Sequence, residues 1–361
     1  MSGTVLIVGA SGIVGRAAVD HFNGLPGWRV VATSRRAPDI EGNHAFVALD
    51  LRDAAACEAA AAGFAAVTHV VFAALYEKPG LVVGWRDADQ MDANLAMLRN
   101  LMTPLLAVAR GLRHVTLLQG TKAYGVHLRP IRVPARERWP RDAHDNFYWL
   151  QEDWLRAAAA NADWRFTILR PQIVFGHGAG SPMNLLAAIG AHAALLREAG
   201  EPLHWPGGAP FVAEAACAKL VARAIAWAAT TPVCAGETYN IANGDVFVWA
   251  NVWPAIAASL GMQPGEHRAL RLAVDMPRRE ADWARIVAKH GLRPTTLASL
   301  VGESFHYADF NFAHGRDRPG PPAIVSTIKA RQHGFHDCVD SEDMFADWFA
   351  EMQRLRLLPP V

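Results

Sequence analysis

The amino-acid sequence predicts an α/β protein with a doubly wound parallel sheet and a smaller, mostly helical C-terminal part that covers it. Three observations carry this reading. Short β-branched runs alternate with long alanine-rich stretches, a glycine cluster follows directly on the first such run, and the alternation loosens after Pro171. Strands alternating with crossover helices imply a parallel sheet.

The first strand is expected at residues 5–8, Val-Leu-Ile-Val, apolar on both faces as a central parallel strand must be. Further strands are expected at 28–33, 45–49, 68–73, 114–118 and 166–169, with a seventh at 237–241. The intervening segments, such as the alanine-rich 54–62, have the length of crossover helices. Residues 176–211 carry many Gly and Pro around one helical segment, and beyond Asn243 helices are joined by long irregular connections. The Gly/Pro cluster within 310–322 reads as a loop.

Composition narrows the class. Apolar residues make up 52% and charged residues 19%, which suits a large core and excludes global disorder. A net charge of +1 without a basic stripe argues against nucleic acid as a partner. Cys57, Cys217, Cys234 and Cys338 are far apart and form no CxxC pair, so neither a zinc site nor a disulfide framework is expected. No apolar run reaches the roughly 18 residues of a spanning helix, and the N-terminal apolar run lacks a basic leader. The expectation is a cytoplasmic protein without membrane contact. The histidines show no HExxH spacing, and His127, His177 and His204 stand alone, so no metal is expected. Oligomeric state is left open, a homodimer being one option.

The glycine cluster is the strongest motif. Strand one runs into Gly9-Ala10-Ser11-Gly12-Ile13-Val14-Gly15, a GxxGxxG spacing that opens a helix. One glycine permits the tight turn, the next the approach of a pyrophosphate, and the third the packing of helix on strand. The helix N-terminus then presents free N–H groups to the phosphates. This is a Rossmann-type dinucleotide site. Strand two ends Thr33-Ser34-Arg35-Arg36, where an NAD enzyme usually carries an acid. Two guanidinium groups suit the 2′-phosphate of NADPH. Asp50-Leu51 and Ala73-Ala74, after strands three and four, either touch the cofactor or pack their loops. The expected division is 1–175 as the dinucleotide-binding domain, rejoined by 211–245, with 176–210 and 246–361 as the substrate-binding part.

Short-chain dehydrogenases often pair a Tyr with a Lys one helical turn later, which lowers the phenol pKa for acid–base work. None of the five tyrosines, Tyr76, Tyr124, Tyr148, Tyr239 and Tyr307, has a Lys at that offset. Tyr148 opens a helical stretch whose partner position holds Glu152, an anion expected to raise the phenol pKa. Of the five lysines, Lys122 lies just past strand five, on the sheet edge where ligands bind in open α/β folds.

These residues resemble the progesterone 5-beta-reductase and iridoid synthase-like branch of the short-chain dehydrogenases. The matching stretches are Gly9 to Gly15, Ser34-Arg35-Arg36, Gln119-Gly120-Thr121-Lys122, Asn146-Phe147-Tyr148 with Glu152-Asp153, and Arg170-Pro171 with Phe175-Gly176. Asn240 to Phe247 with Trp249, and Gln332-His333-Gly334-Phe335, follow. The resemblance spans nearly the whole chain. It implies NADPH-dependent 1,4-reduction of enones and enals, with Tyr148 and Lys122 as the catalytic residues and hydride added at the β-carbon. The expected cofactor set adds Thr121, Tyr148, Pro171 and Ile173 to the residues above, and Trp149 and Phe335 are expected in the substrate pocket. The sequence departs from the pattern at Trp149 and in 211–219, where an expected acidic pair is mostly replaced. A nucleotide-sugar epimerase or dehydratase, a carbonyl reductase and a catalytically silent NADP sensor remain as alternatives at this point.

Overall fold

The computed structural model describes residues 2–361. Its centre is a parallel sheet of β1 (Gly3–Val8), β2 (Trp28–Ser34), β3 (His44–Ala48), β4 (His69–Phe72), β5 (His114–Leu118), β6 (Arg165–Pro171) and β7 (Thr238–Ile241). The spatial order is β7-β6-β5-β4-β1-β2-β3. Register is continuous, from Gly3↔Trp28 to Val8↔Thr33 between β1 and β2, and from Val5↔His69 to Val8↔Phe72 between β1 and β4. Each expected strand is present within about two residues of its expected ends.

The two-residue period of β1 builds two cores. Val5 and Ile7 face a cluster holding Ala17, Ala18 and Phe22 of helix α1 (Ile13–Gly24). Leu6 and Val8 face a second cluster, fed by Cys57 of α2 (Ala54–Ala60), Leu98, Leu101 and Leu105 of α3 (Ala88–Val108), and Leu155 of α4 (Phe147–Ala159). Helices therefore cover both faces, and all carboxyl ends of the strands open on one edge. Chain direction across the sheet reverses between β1 and β4, which is the switch point where such folds bind ligands.

The C-terminal part is mostly helical. Helix α5 (Leu185–Glu198) is buried from Leu185 to Leu196, so its apolar run is a core helix wrapped by Glu280–His290, Ser304–Asn311 and Ser341–Arg354. Among the described residues no helix is long and apolar enough to cross a membrane. The expected loop at 310–322 starts later than the Gly/Pro pattern suggests. Helix Ser304–Asn311 takes in its first two residues, held by Asn311 Nδ2 donating to the Tyr307 carbonyl (2.8 Å).

Candidate active site at the carboxyl edge of the sheet

A cavity of about 640 Å³ runs along this edge, from the glycine turn to the helix bearing Tyr307. At one end, β1 turns at Gly9 with φ +83°, where a Cβ would meet the Ala73 carbonyl at 2.8 Å. A Cβ on Gly12 would meet only the Gly9 carbonyl, at 3.3 Å. Gly12 also caps α1 with no side-chain hydrogen bond, so the first helical N–H groups face the cavity beside Ser11, Ile13 and Val14. A Cβ on Gly15 would lie 2.1 Å from the Gly9 carbonyl. Gly15 packs helix on strand, and it stands behind the lining rather than in it. This backbone cradle fits a pyrophosphate.

Beyond β2, Ser34 Oγ donates to the Arg36 carbonyl (2.6 Å), and Arg35 and Arg36 line the cavity with solvent-exposed side chains. Asp50 also lines this end, but Arg52 takes up its carboxylate (2.8 Å) and holds the carboxyl down to about 2. Leu51, Ala73 and Ala74 complete the wall. The residues present fit an adenine dinucleotide with its adenosine end near the arginines.

At the other end, Thr121–Tyr124 form a short 3-10 turn directly after β5, and α4 begins where Asn146 accepts from the Tyr148 N–H (3.0 Å). Asn146 Nδ2 donates to the Lys122 carbonyl (3.3 Å), which ties the two elements together. Tyr148 Oη lies over Gly120, 3.2 Å from where a Cβ there would stand, and the Pro171 carbonyl lies 3.7 Å from the same point. Thr121, Lys122, Tyr148, Pro171 and Ile173 thus meet on one stretch of the cavity. Among the described residues, the Tyr148 hydroxyl makes no hydrogen bond within the chain.

Lys122 does not pair with the phenol. Its Nζ stands 3.3 Å from Glu77 Oε1 and 4.1 Å from the centroid of the Trp85 ring. The Glu77 side chain is 1% exposed and accepts from Gln90 Nε2 at 2.7 Å. Burial pushes the Lys122 ammonium below its ordinary range and the Glu77 carboxyl above its own, while each charge opposes that drift in the other. Burial also pushes the Tyr148 phenol up, and the charge of Glu77 pushes it further. The anion expected to act on Tyr148 was Glu152, and the structure corrects this. Glu152 turns away to Arg156 (2.9 Å), Arg141 (3.2 Å), Gln119 (3.2 Å) and Arg170 (3.5 Å); against the upward push of burial, the three arginines hold its carboxyl low.

Two expected pocket residues lie outside the cavity lining. Trp149 is buried between the guanidinium groups of Arg141 and Arg170, at 5.0 and 5.5 Å. Phe335 packs on Trp227 at 5.2 Å, in the core behind β7. The cavity instead recruits Trp85, Tyr307, Phe310 and Glu214, and Glu77 meets it only through its contact with Lys122. Their positions in loops and late helices carry no spacing signal. Glu214 accepts from the Val325 N–H (2.8 Å) and Gln172 Nε2 (3.3 Å), and burial raises its carboxyl to about 7.

The profile of the NAD dependent epimerase/dehydratase family matches residues 5–242. The chain is 28% identical to a (S)-8-oxocitronellyl enol synthase of Nepeta cataria, over 98% of this chain and 92% of that protein. It is also 28% identical to a 3-oxo-Delta(4,5)-steroid 5-beta-reductase of Arabidopsis thaliana, with the same coverage. These names bear out the resemblance to the 5-beta-reductase and iridoid synthase-like branch. Among solved structures, a UDP-glucose 4-epimerase of Thermotoga maritima superposes with a TM-score of 0.67 at 16% identity, covering 97% and 99% of the two chains. A Thermus thermophilus UDP-glucose 4-epimerase in complex with NAD gives 0.65 at 19%, covering 96% and 99%. These likenesses establish the fold.

Proposed function

We propose that this chain, which belongs to the NAD dependent epimerase/dehydratase family and is an oxidoreductase, catalyses the NADPH-dependent 1,4-reduction of the C=C bond of enones and enals. The observation that carries this reading is a buried, unpaired phenol, Tyr148, facing the cavity with no lysine one turn along and with its cation held apart on Glu77. The named functions of the steroid 5-beta-reductase and enol synthase relatives support the same chemistry.

A bound nicotinamide supplies hydride, here to the β-carbon of the substrate. The chain's own task is to receive the negative charge that then develops on the carbonyl oxygen. Tyr148 offers a neutral O–H in a site where burial and Glu77 keep it protonated. Lys122 adds a positive charge in the same low-dielectric cavity, and Thr121, Pro171 and Ile173 shape the wall beside them. A preorganised donor of this kind is typically worth about 10²–10³ in rate. Reduction of a ketone would leave an alkoxide, which needs a proton at once. A phenol whose acidity is suppressed is a poor source for it. An enolate is far less basic and takes its proton from water. Arg35 and Arg36, with no acid at the end of β2, favour the 2′-phosphate of NADPH over NADH.

The test is NADPH consumption with a small enone, with progesterone and with the matching saturated ketones. Enones should be reduced to saturated carbonyl products and the ketones should be inert. Turnover of the ketones alone would make the protein a carbonyl reductase, and cofactor binding without turnover would favour a sensor.

A further inference from the structure

We propose that Glu77 is a positioning residue for the reaction: it is the counter-ion that keeps Lys122 charged inside the cavity and holds it away from the Tyr148 hydroxyl. The inference rests on the enone-reductase reading for its catalytic meaning, but its structural content stands on the pair itself.

The geometry is that of a built ion pair. Glu77 follows β4 and Lys122 follows β5, so neighbouring strands deliver them to the same edge of the sheet. Their side chains are 1% and 14% exposed, and their charged atoms are 3.3 Å apart. Gln90 of α3 fixes the carboxylate by donating to Oε2, which leaves Oε1 for the ammonium. The Trp85 ring covers the ammonium from another side. The neighbouring Lys78 is drawn off by Asp87 and Asp89, so it does not compete for Glu77. The other titratable groups facing this pair are Tyr148 from α4, Tyr307 from helix Ser304–Asn311, and His127 from the loop after β5. Burial keeps the two phenols protonated and lowers His127 to about 4, so none of them carries a negative charge that could replace Glu77 at neutral pH.

A buried ammonium without its partner loses its proton readily. Removing the carboxylate therefore has two effects. Lys122 becomes neutral at lower pH, and Tyr148 loses the nearby anion that suppresses its ionisation. A residue that merely filled space would do neither.

The experiment uses the full chain and Glu77→Gln, with Glu77→Asp as the variant that keeps the charge. Acetic anhydride acylates only neutral amines, and peptide mapping resolves Lys122 from the other four lysines as a function of pH. In Glu77→Gln the midpoint for Lys122 should fall by about one to three on the pH scale, while Lys78, Lys219, Lys289 and Lys329 keep theirs. Glu77→Asp should return it towards the wild-type value and also serves should the Gln variant not fold. For enone reduction, Glu77→Gln should lose activity along a new limb as pH rises, a limb that wild type and Glu77→Asp do not show. An unchanged Lys122 midpoint, or a rate lowered by one factor at every pH, overturns the proposal. Because acylation needs no turnover, a shifted midpoint in a protein inert towards enones would sustain the counter-ion role while refuting the enone-reductase reading.

Discussion

The two ends of the cavity handle charge in opposite ways. At the adenosine end, Arg35, Arg36 and the Asp50–Arg52 pair stand in solvent around a cradle of glycine backbone. At the reactive end, the side chains of Glu77, Lys122 and Tyr148 are buried; Glu77 and Lys122 alter each other's ionisation, and Glu77 adds to the burial that keeps Tyr148 protonated. Exposed charges in high dielectric are screened by salt and tune affinity by modest factors. Buried charges interact strongly enough to decide which protonation states exist. On the proposed reading, the first end recognises the cofactor and the second performs the chemistry.

Substitutions can break this contrast, and the expected effects descend in size. Tyr148→Phe removes the buried donor and should lower kcat for enone reduction by about 10²–10³ with NADPH affinity little changed; steady-state kinetics and a cofactor titration check both. Gly9→Ala places a Cβ 2.8 Å from the Ala73 carbonyl in a left-handed conformation. It should cost about 1–3 kcal/mol of stability, read by denaturant unfolding, and weaken both NADPH and NADH. The double change Arg35→Ala/Arg36→Ala should raise the Kd for NADPH about tenfold or more and leave NADH nearly unaffected. The gap between the two cofactors should shrink in high salt, as it would not for a buried contact.

The smallest effect concerns Glu214, a buried carboxyl raised from 4.5 to about 7 chiefly by desolvation. Below about pH 4.5 folded and unfolded chains both hold the proton. As pH rises, the unfolded chain releases it first, so stability is lost progressively up to about pH 7. Glu214→Gln should match the wild-type Tm near pH 4.5 and exceed it by a few degrees at pH 8, as thermal melts at the two pH values would show.

The adenosine end was largely legible in the sequence because backbone demands leave residue-type signatures. Gly9, Gly12 and Gly15 stand where φ, close approach and helix packing require no Cβ, and the β-branched runs mark the strands that deliver them. Tyr148 and Lys122 each stood out in the sequence, one by the missing lysine at position 152 and the other by its location after β5, while their joint catalytic role was implied only by the family resemblance. Glu77 was not, since nothing local ties a loop acid to a lysine 45 residues later. The same blindness assigned the role of Glu77 to Glu152, whose partners Arg170, Gln119 and Arg141 come from other elements, beyond the local pair with Arg156. Trp149 and Phe335 were expected in the pocket by resemblance, but α4 turns Trp149 towards Arg141 and Arg170, and Trp227 holds Phe335 in the core. Tyr307 and Phe310 reach the cavity from a late helix with no distinguishing pattern.

In the proposed reaction hydride goes to the β-carbon of the enone rather than to its carbonyl carbon. The most direct measurement is product analysis after turnover of a small enone with NADPH deuterated at C4 of the nicotinamide, read by NMR. The expected product is a saturated carbonyl compound with deuterium at the β-carbon and a solvent-derived proton at the α-carbon. Deuterium on a carbinol carbon, with the alkene intact, would contradict it.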